Sequence, residues 1–245
     1  YNGAKESRRH REMKDVIAKC LAVDDQFSNI EIEATWHGSL PRQWRRPDVR
    51  AIFRGLPIAF EIQLSTTFQE VIVERRRFYQ KQGGMLVWVF AEFNADRRRT
   101  TEDDIFYNNN LNALVVNNQT VEQSMRDNRF VVECCWSKPK SGGGISGLFR
   151  RLVPFGDLTL EVSTQRAFFF DFEKHRAALT TKENADQEEL RAEIETWWAT
   201  RKEELESDKW PLFSSRLRRL GVIAPRTLRD LDQHLITALY SAKHG

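Results

Sequence analysis

Three polar side chains interrupt a stretch of the chain that otherwise suits a sheet. Asp48 directly precedes one apolar run, and Glu61 and Gln63 lie within the next. Side chains alternate between the faces of a strand, so Glu61 and Gln63 point the same way. Two close carboxylates resist ionisation unless a cation lies between them, and Mg²⁺ commonly binds one or two carboxylates with waters and phosphate oxygens. The stretch therefore predicts a Mg²⁺ or Mn²⁺ site for phosphodiester hydrolysis.

A β-hairpin over 48–65 must position these residues. With the turn at Gly55-Leu56, the apolar residues of both strands share one face, and Asp48 lies opposite Gln63 on the other. A slip of one residue would mix the two faces, so the apolar pattern itself favours a two-faced hairpin.

The elements around the hairpin predict an α/β fold. Helical spacing of apolar residues covers 5–22 and 66–84, and an alternating pattern covers 29–36. The run 85–93 is almost wholly apolar, which is typical of a central strand covered on both faces. A strand, a helix and a second strand in this order imply a parallel crossover. We therefore expect a mixed sheet core flanked by helices.

The rest of the chain predicts further strands and then a charged helical region. The strands fall at 111–117, 129–136, 158–163 and 167–172. From about residue 182 onward the chain is helical in pattern and rich in charge. We expect two regions, a nuclease-like domain at 1–175 and a helical C-terminal region at 176–245.

The order and spacing of these residues resemble the PD-(D/E)xK nuclease superfamily, and within it the CoiA-like nuclease domain of competence proteins. The stretches "RRPDV" (45–49) and "EIQLS" (61–65) are similar to that group's core motifs. "ERRRFY" (74–79) matches its following helix, and "ESRRHREMK" (6–14) resembles its E-S-x-x-H-x-x-x-K helix. The resemblance covers about residues 5–93 and implies a restriction-endonuclease-like core.

The resemblance also implies a Mg²⁺-dependent deoxyribonuclease and a role for each motif residue. Asp48, Glu61 and Glu6 would bind the metal, and His10 would donate a proton or contact a phosphate. Gln63 stands where the wider superfamily commonly has Lys; the CoiA-like group also has Gln there, and its amide can orient a water. For the first-helix residues, the alternative is a solvated, charge-paired helix face.

The arginines near the carboxylates leave two interpretations open. Asp48 and Glu61 would alternatively form buried salt bridges, with Arg50 or Arg75 as the partner. Arg75 lies on the stripe of its helix that should face the sheet, where an unpaired charge costs several kcal/mol. Arg75 is therefore predicted either to approach the site carboxylates and the scissile phosphate or to form a structural ion pair.

A loop directly before the site combines aromatic and basic side chains. Trp44, Arg45 and Arg46 suit base stacking and phosphate contact, and they are candidate nucleic-acid contacts. Arg75 and Lys14 are further candidates for contacting the phosphates of the same DNA.

Composition narrows the class of protein. The net charge of +3 is too small by itself to indicate a nucleic-acid partner. No apolar run approaches the roughly 20 residues that a bilayer-spanning helix needs. Three cysteines, two of them adjacent, form neither a disulfide framework nor a C-x-x-C pair. We expect a cytoplasmic protein without a membrane partner.

Three functions compete on this basis. The leading prediction is a nuclease that acts on DNA in bacterial DNA uptake, recombination or anti-phage defence. The second is a catalytically silent nuclease fold that serves as a DNA-binding or assembly module. The third is a helical interaction protein, because the charged C-terminal helices offer a surface to a second copy or a protein partner.

Overall fold

The computed structural model describes residues 7–64, 69–94, 100–205 and 215. The chain divides into two compact units, Tyr1–Ala177 and Ala178–Gly245. The predicted division after residue 175 lies close to this one, and the nuclease identity of the first region stays a prediction. Within the described ranges, no helix combines the length and the apolar character that a membrane crossing requires.

The described helices are α1 (Arg8–Ala22), α2 (Gln69–Lys81), α3 (Thr100–Asn108), α4 (Asn118–Asp127) and α5 (Phe172–Leu205). The strands are β1 (Phe27–Ile32), β2 (Trp36–His37), β3 (Trp44–Arg45), β4 (Val49–Phe53), β5 (Leu56–Gln63), β6 (Met85–Phe90), β7 (Asn112–Val115), β8 (Val131–Trp136), β9 (Phe149–Pro154), β10 (Thr159–Glu161) and β11 (Arg166–Phe168).

Seven strands form one mixed sheet in the order β1-β4-β5-β6-β7-β8-β9. The central strands β5, β6 and β7 run parallel, and the pairs on either side of them are antiparallel. The parallel pairing of β5 and β6, with α2 between them in the chain, confirms the predicted crossover. The α/β class and the mixed sheet with helices are therefore confirmed.

Helices cover both faces of this sheet. On one face, α1 buries Ile17 and Leu21 against a core that includes the inward residues of β4, β5 and β6. On the other face, α2 and α3 contribute Ile72 and Phe106 to a core with β6 and β7. The first of these cores is rich in aromatic rings with centroids 4.8 to 6.3 Å apart, from Phe27, Phe53, Phe60, Phe130 and Phe155.

The central hairpin differs from the prediction in register. Its turn is Arg54-Gly55, with φ of 48° and 84°, and Phe53 pairs with Leu56. Two positive φ values in a two-residue loop are the signature of the type I′ turn, which matches the twist of the strands. The predicted turn one residue later was therefore wrong, and every pair shifts by two positions. Because the shift is two and not one, each side chain stays on the predicted face.

The structure adds elements that the sequence patterns did not predict, namely α3, α4 and β9. The predicted loop before Asp48 contains the small antiparallel hairpin of β2 and β3. α5 begins at Phe172, ten residues before the helical pattern that was predicted from about residue 182. The predicted strand at 167–172 is shorter in the structure and ends at Phe168. The predicted helical pattern beyond residue 205 lies outside the described residues, apart from Ser215.

Candidate functional site

Glu61 lies in the middle of β5 and is almost fully buried, with 3% of the residue exposed. Its Oε2 accepts a hydrogen bond from Nη1 of Arg75, and its Oε1 accepts one from the Tyr79 hydroxyl at 3.4 Å. Burial raises the pKa of Glu61 to about 7, Arg75 acts against that rise, and the nearby charge of Asp48 adds to it. Desolvation therefore outweighs the ion pair with Arg75. A further positive charge nearby would stabilise the ionised form of Glu61.

Asp48 directly precedes β4, and the next residue, Val49, pairs with Phe60, the neighbour of Glu61 on β5. Its Oδ2 accepts hydrogen bonds from the backbone N–H of Ile62 at 2.8 Å and from Nε2 of His10 at 3.1 Å. Within the described ranges, both hydrogen bonds of the Asp48 side chain use the same oxygen, so Oδ1 can serve a ligand. The two carboxylates, Asp48 just before β4 and Glu61 within β5, thus interact electrostatically.

The first helix supplies two side chains to the same region. Ser7 caps α1 by accepting from the backbone N–H of His10, and this places His10 in the first turn, beside Asp48. One turn later Lys14 is buried, with 3% of the residue exposed, and it donates to Oε1 of Glu33. That bond is the largest cause of the lowered pKa of Glu33. The backbone N–H of Glu33 donates to Asp48 O, so the pair is tied to the site.

Gln63 is buried and ends β5, two positions beyond Glu61 on the same face. It lines a cleft of about 240 Å³ at the carboxyl ends of β5 and β6, together with Arg9, Leu64, Ala91, Glu92, Asn94 and Glu102. In open parallel sheets this end of the strands is the usual place for a ligand. The cleft therefore reaches Gln63, two residues from Glu61 on the same strand.

The predicted nucleic-acid contacts differ in exposure. Trp44 is exposed, and Arg45 reaches Glu74 at 3.3 Å while its guanidinium lies 5.6 Å from the centroid of the Phe78 ring. Arg46 is 3.6 Å from Glu33. Lys14, by contrast, is inside the protein, so it acts on the site through Glu33 and not as a surface cation.

Of the two arginines predicted as ion-pair partners of the carboxylates, only Arg75 forms such a pair in the described structure. Arg50 pairs with Glu31 on β1, with 2.6 Å between Nε and Oε2, and so it is not the partner of either site carboxylate. Arg75 does pair with Glu61, and its guanidinium also lies 5.9 Å from the centroid of the Trp88 ring. Because about 32% of the Arg75 side chain is exposed, this ion pair borders solvent.

A family model for a domain of unknown function (DUF6035) matches residues 1–173. The chain belongs to the DUF6035 family. No curated protein and no solved structure matches the chain. The DUF6035 match covers all the site residues described above. The two carboxylates, helix α1 and Arg75 therefore belong to one family domain.

The donor set of this DUF6035 domain fits a hard divalent cation. Asp48 and Glu61 offer carboxylate oxygens on one face, and Mg²⁺ needs only one or two protein carboxylates. The third predicted ligand, Glu6, lies outside the described residues. Among the residues that are described, no group of three or more His, Cys, Asp or Glu side chains could hold a metal. The pair would therefore depend on water and substrate oxygens for the remaining positions.

Tyr79 and Glu33 are site residues whose contacts the sequence did not specify. Tyr79 is fully buried on α2, and its hydroxyl contacts the Glu61 carboxylate. Burial raises the pKa of Tyr79, and the nearby Glu61 raises it further. A signal for it existed, because Tyr79 follows Arg75 by four residues and so shares a helix face with it. Nothing in the local pattern indicated that Glu33 would bind Lys14.

Proposed function

We propose that this DUF6035 protein is a metal-dependent nuclease that hydrolyses phosphodiester bonds in DNA, on a PD-(D/E)xK-type core. Its setting would be bacterial DNA processing, recombination or anti-phage defence. One observation carries the proposal: the Asp48 side chain binds the backbone N–H of Ile62, next to Glu61, and the two carboxylates interact, although Glu61 is buried deeply enough to raise its pKa to about 7. Such an arrangement is unfavourable for a merely structural pair of acids, and a divalent cation between them would relieve it.

In this proposal the side chains divide the work. Asp48 through Oδ1 and Glu61 would hold Mg²⁺ or Mn²⁺, which when bound lowers the pKa of a water and neutralises charge on the phosphate. Gln63, at the mouth of the cleft, would orient the attacking water through its amide. His10 would hold a proton on Nε2 next to Asp48 and pass it to the leaving oxygen.

Arg75 has a defined role in the same proposal. It and Tyr79 engage both oxygens of Glu61. When a metal binds Glu61, the charge of Arg75 is no longer needed there. Since its side chain borders solvent, Arg75 would then turn toward a phosphate of the substrate. This interpretation combines the two alternatives for Arg75, because the ion pair and the phosphate contact occur in different states.

A plasmid-cleavage assay tests the proposal. We expect the wild-type chain to cut DNA with Mg²⁺ or Mn²⁺ and not with EDTA, and Asp48→Ala and Glu61→Ala to lose cutting. Glu31→Gln is a matched control, because it changes an acidic side chain on the neighbouring strand that pairs with Arg50 outside the site. Circular dichroism spectra of all four proteins confirm folding. Metal-dependent cutting that survives both alanine substitutions would refute the assignment of the site.

A second candidate is a nuclease fold that binds DNA without cutting it. The Arg75–Glu61 ion pair favours it, because a permanent structural pair would occupy a metal ligand. The same assay separates the two functions when it is combined with DNA binding measured by fluorescence anisotropy. Binding without cutting under every metal condition would support the second candidate, and metal-dependent cutting would exclude it.

A further inference from the structure

A small hairpin next to the carboxylates presents one tryptophan to the protein and another to solvent. β2 and β3 pair Trp36 with Arg45 and His37 with Trp44. Because successive residues of a strand alternate in direction, Trp36 and Arg45 share one face, and His37 and Trp44 share the other. Trp44 is 53% exposed, whereas Trp36, Trp88 and Trp136 are half-buried or buried.

The inner face of the hairpin is fixed to the site. The Trp36 ring packs edge-on against Tyr79, with centroids 5.2 Å apart, and Tyr79 in turn contacts Glu61. Gly84 makes this packing possible, since a Cβ there would lie 2.4 Å from the Trp36 ring. The hairpin therefore has its hydrophobic anchor in Trp36, and the folded chain does not need Trp44 for packing. The indole of Trp44 on the outer face is accessible to an external partner.

The surroundings of Trp44 indicate which partner. Arg42 is exposed in the hairpin turn, and Arg45 and Arg46 follow Trp44 directly. The last two also face Glu74 and Glu33, at 3.3 and 3.6 Å. Of these arginines, Arg45 lies on the Trp36 face of the hairpin, so the basic side chains that neighbour the exposed indole along the chain are Arg42 and Arg46. An aromatic ring among basic side chains is the arrangement that binds single-stranded nucleic acid, in which bases stack and phosphates meet cations.

We infer that Trp44 stacks on an unpaired base of the nucleic-acid strand whose phosphate lies at Asp48 and Glu61. The inference rests on the proposed function and specifies its substrate class as single-stranded or locally unpaired DNA. Only three residues separate Trp44 from Asp48, so their Cα atoms lie within about 14 Å of each other, which a few nucleotides would span. In an intact duplex each base is already paired and stacked, so a blunt duplex offers Trp44 nothing to stack on.

Binding measurements on the full chain test this substrate class. The probes are a fluorescein-labelled 15-nucleotide oligothymidylate and a blunt 15-base-pair duplex, both in EDTA so that no cutting occurs. We expect the wild type to prefer the single strand. Trp44→Ala should weaken single-strand binding about tenfold, which is the typical effect of losing one stacked base, and change duplex binding less than twofold. Trp44→Phe should retain most of the affinity. Phe149→Ala is the control, since Phe149 is an exposed aromatic on the sheet edge farthest from β1.

The outcomes separate this inference from the proposed function. Equal affinity for both probes, or unchanged single-strand binding by Trp44→Ala, would overturn the stacking and leave a nuclease intact if cutting is seen. Loss of binding in Phe149→Ala as large as in Trp44→Ala would likewise overturn it. Trp44-dependent binding of the single strand by a protein that cuts nothing with any metal would support the stacking and overturn the nuclease.

Discussion

Two of the clusters in which the described residues bury polar side chains are built in opposite ways. The first, which we call the asparagine clamp, consists of Asn109, Asn110 and Asn112 at the start of β7. The second, the carboxylate pocket, consists of Asp48, Glu61, Arg75 and Tyr79. The clamp is made of neutral amides that bind backbone and, at Asn110, the Asp171 carboxylate, whereas the pocket is centred on the ion pair of Glu61 and Arg75.

The central amide of the asparagine clamp, Asn112, is completely satisfied. Asn112 is fully buried, and its Nδ2 donates to the carbonyls of Asn110 and Phe170 at 2.7 and 2.8 Å. Its Oδ1 accepts from the backbone of Phe169 and Phe170 at 3.2 and 3.1 Å. An amide has two donors and two acceptor sites, so each is used. The clamp therefore holds the chain after β11 against the sheet.

In the carboxylate pocket, the hydrogen-bond partners of Glu61 do not compensate for the loss of water around its charge. The pKa of Glu61 stays near 7 because burial outweighs Arg75, and the ion pair does not restore what water would supply. Fully satisfied polar clusters stabilise a fold, whereas strongly perturbed titratable groups in a cleft mark functional sites. We therefore expect the asparagine clamp to contribute to the stability of the fold and the carboxylate pocket to contribute to activity. Both contributions can be measured in variants.

The largest expected effect is a loss of activity without a loss of stability. Glu61→Gln keeps the shape of the side chain and removes the buried charge. We expect cleavage to fall by about three orders of magnitude, because one metal ligand is lost, while the free energy of unfolding at pH 8 rises. Plasmid cleavage and urea denaturation give the two values. A less stable Glu61→Gln protein would contradict the comparison, since the pocket would then be structural.

The asparagine clamp should show the reverse. Asn112→Ala leaves four backbone groups without partners, so we expect a loss of about 3 kcal/mol or more in the free energy of unfolding. Cleavage per folded molecule should remain unchanged at a temperature where the variant is folded. Asn108→Ala is the matched control, because its side chain bonds only Asp104 O at the exposed end of α3. Equal stability of the Asn112 variant and the control would count against the clamp.

The sequence predicted the pocket better than the clamp, for a physical reason. Strand alternation alone brought Asp48, Glu61 and Gln63 to one face, and it did so despite a register error of two residues, because faces repeat every second residue. The approach of His10 to Asp48 joins residues far apart in the chain, and only the family resemblance suggested it. Asparagines that bind distant backbone leave no periodic signal.

The missed elements have the same explanation. In α4 the buried residues are Thr120 and Ser124, so the helix lacks the apolar stripe by which helices are recognised. β9 contains adjacent Arg150 and Arg151 and lies at a sheet edge, where only a weak alternation remains. Burial of Lys14 was also unexpected, because its partner Glu33 is on another element.

The pH dependence of the free energy of unfolding measures the contribution of Glu61 by itself. Its carboxyl has a folded pKa of about 7 and an ordinary value of 4.5, so the folded state binds more protons between these values. Stability of the wild type should therefore fall as pH rises from 4.5 to 7, by about 3 kcal/mol relative to Glu61→Gln. Urea denaturation in EDTA across this range measures the difference. A difference that does not change with pH would show that Glu61 is not desolvated.

The smallest expected effect concerns Tyr79. Tyr79→Phe removes one long hydrogen bond to Glu61 Oε1 and keeps the ring against Trp36. That bond lowers the pKa of Glu61, so its loss should raise the pKa further and cost about 0.5 kcal/mol of unfolding free energy at pH 8. At pH 5, where Glu61 is protonated, the cost should be smaller. Tyr107→Phe, at an exposed position on α3, controls for the loss of a hydroxyl. A cost that is equal at both pH values would mean that the hydroxyl supports the packing of α2 and does not stabilise the charge of Glu61.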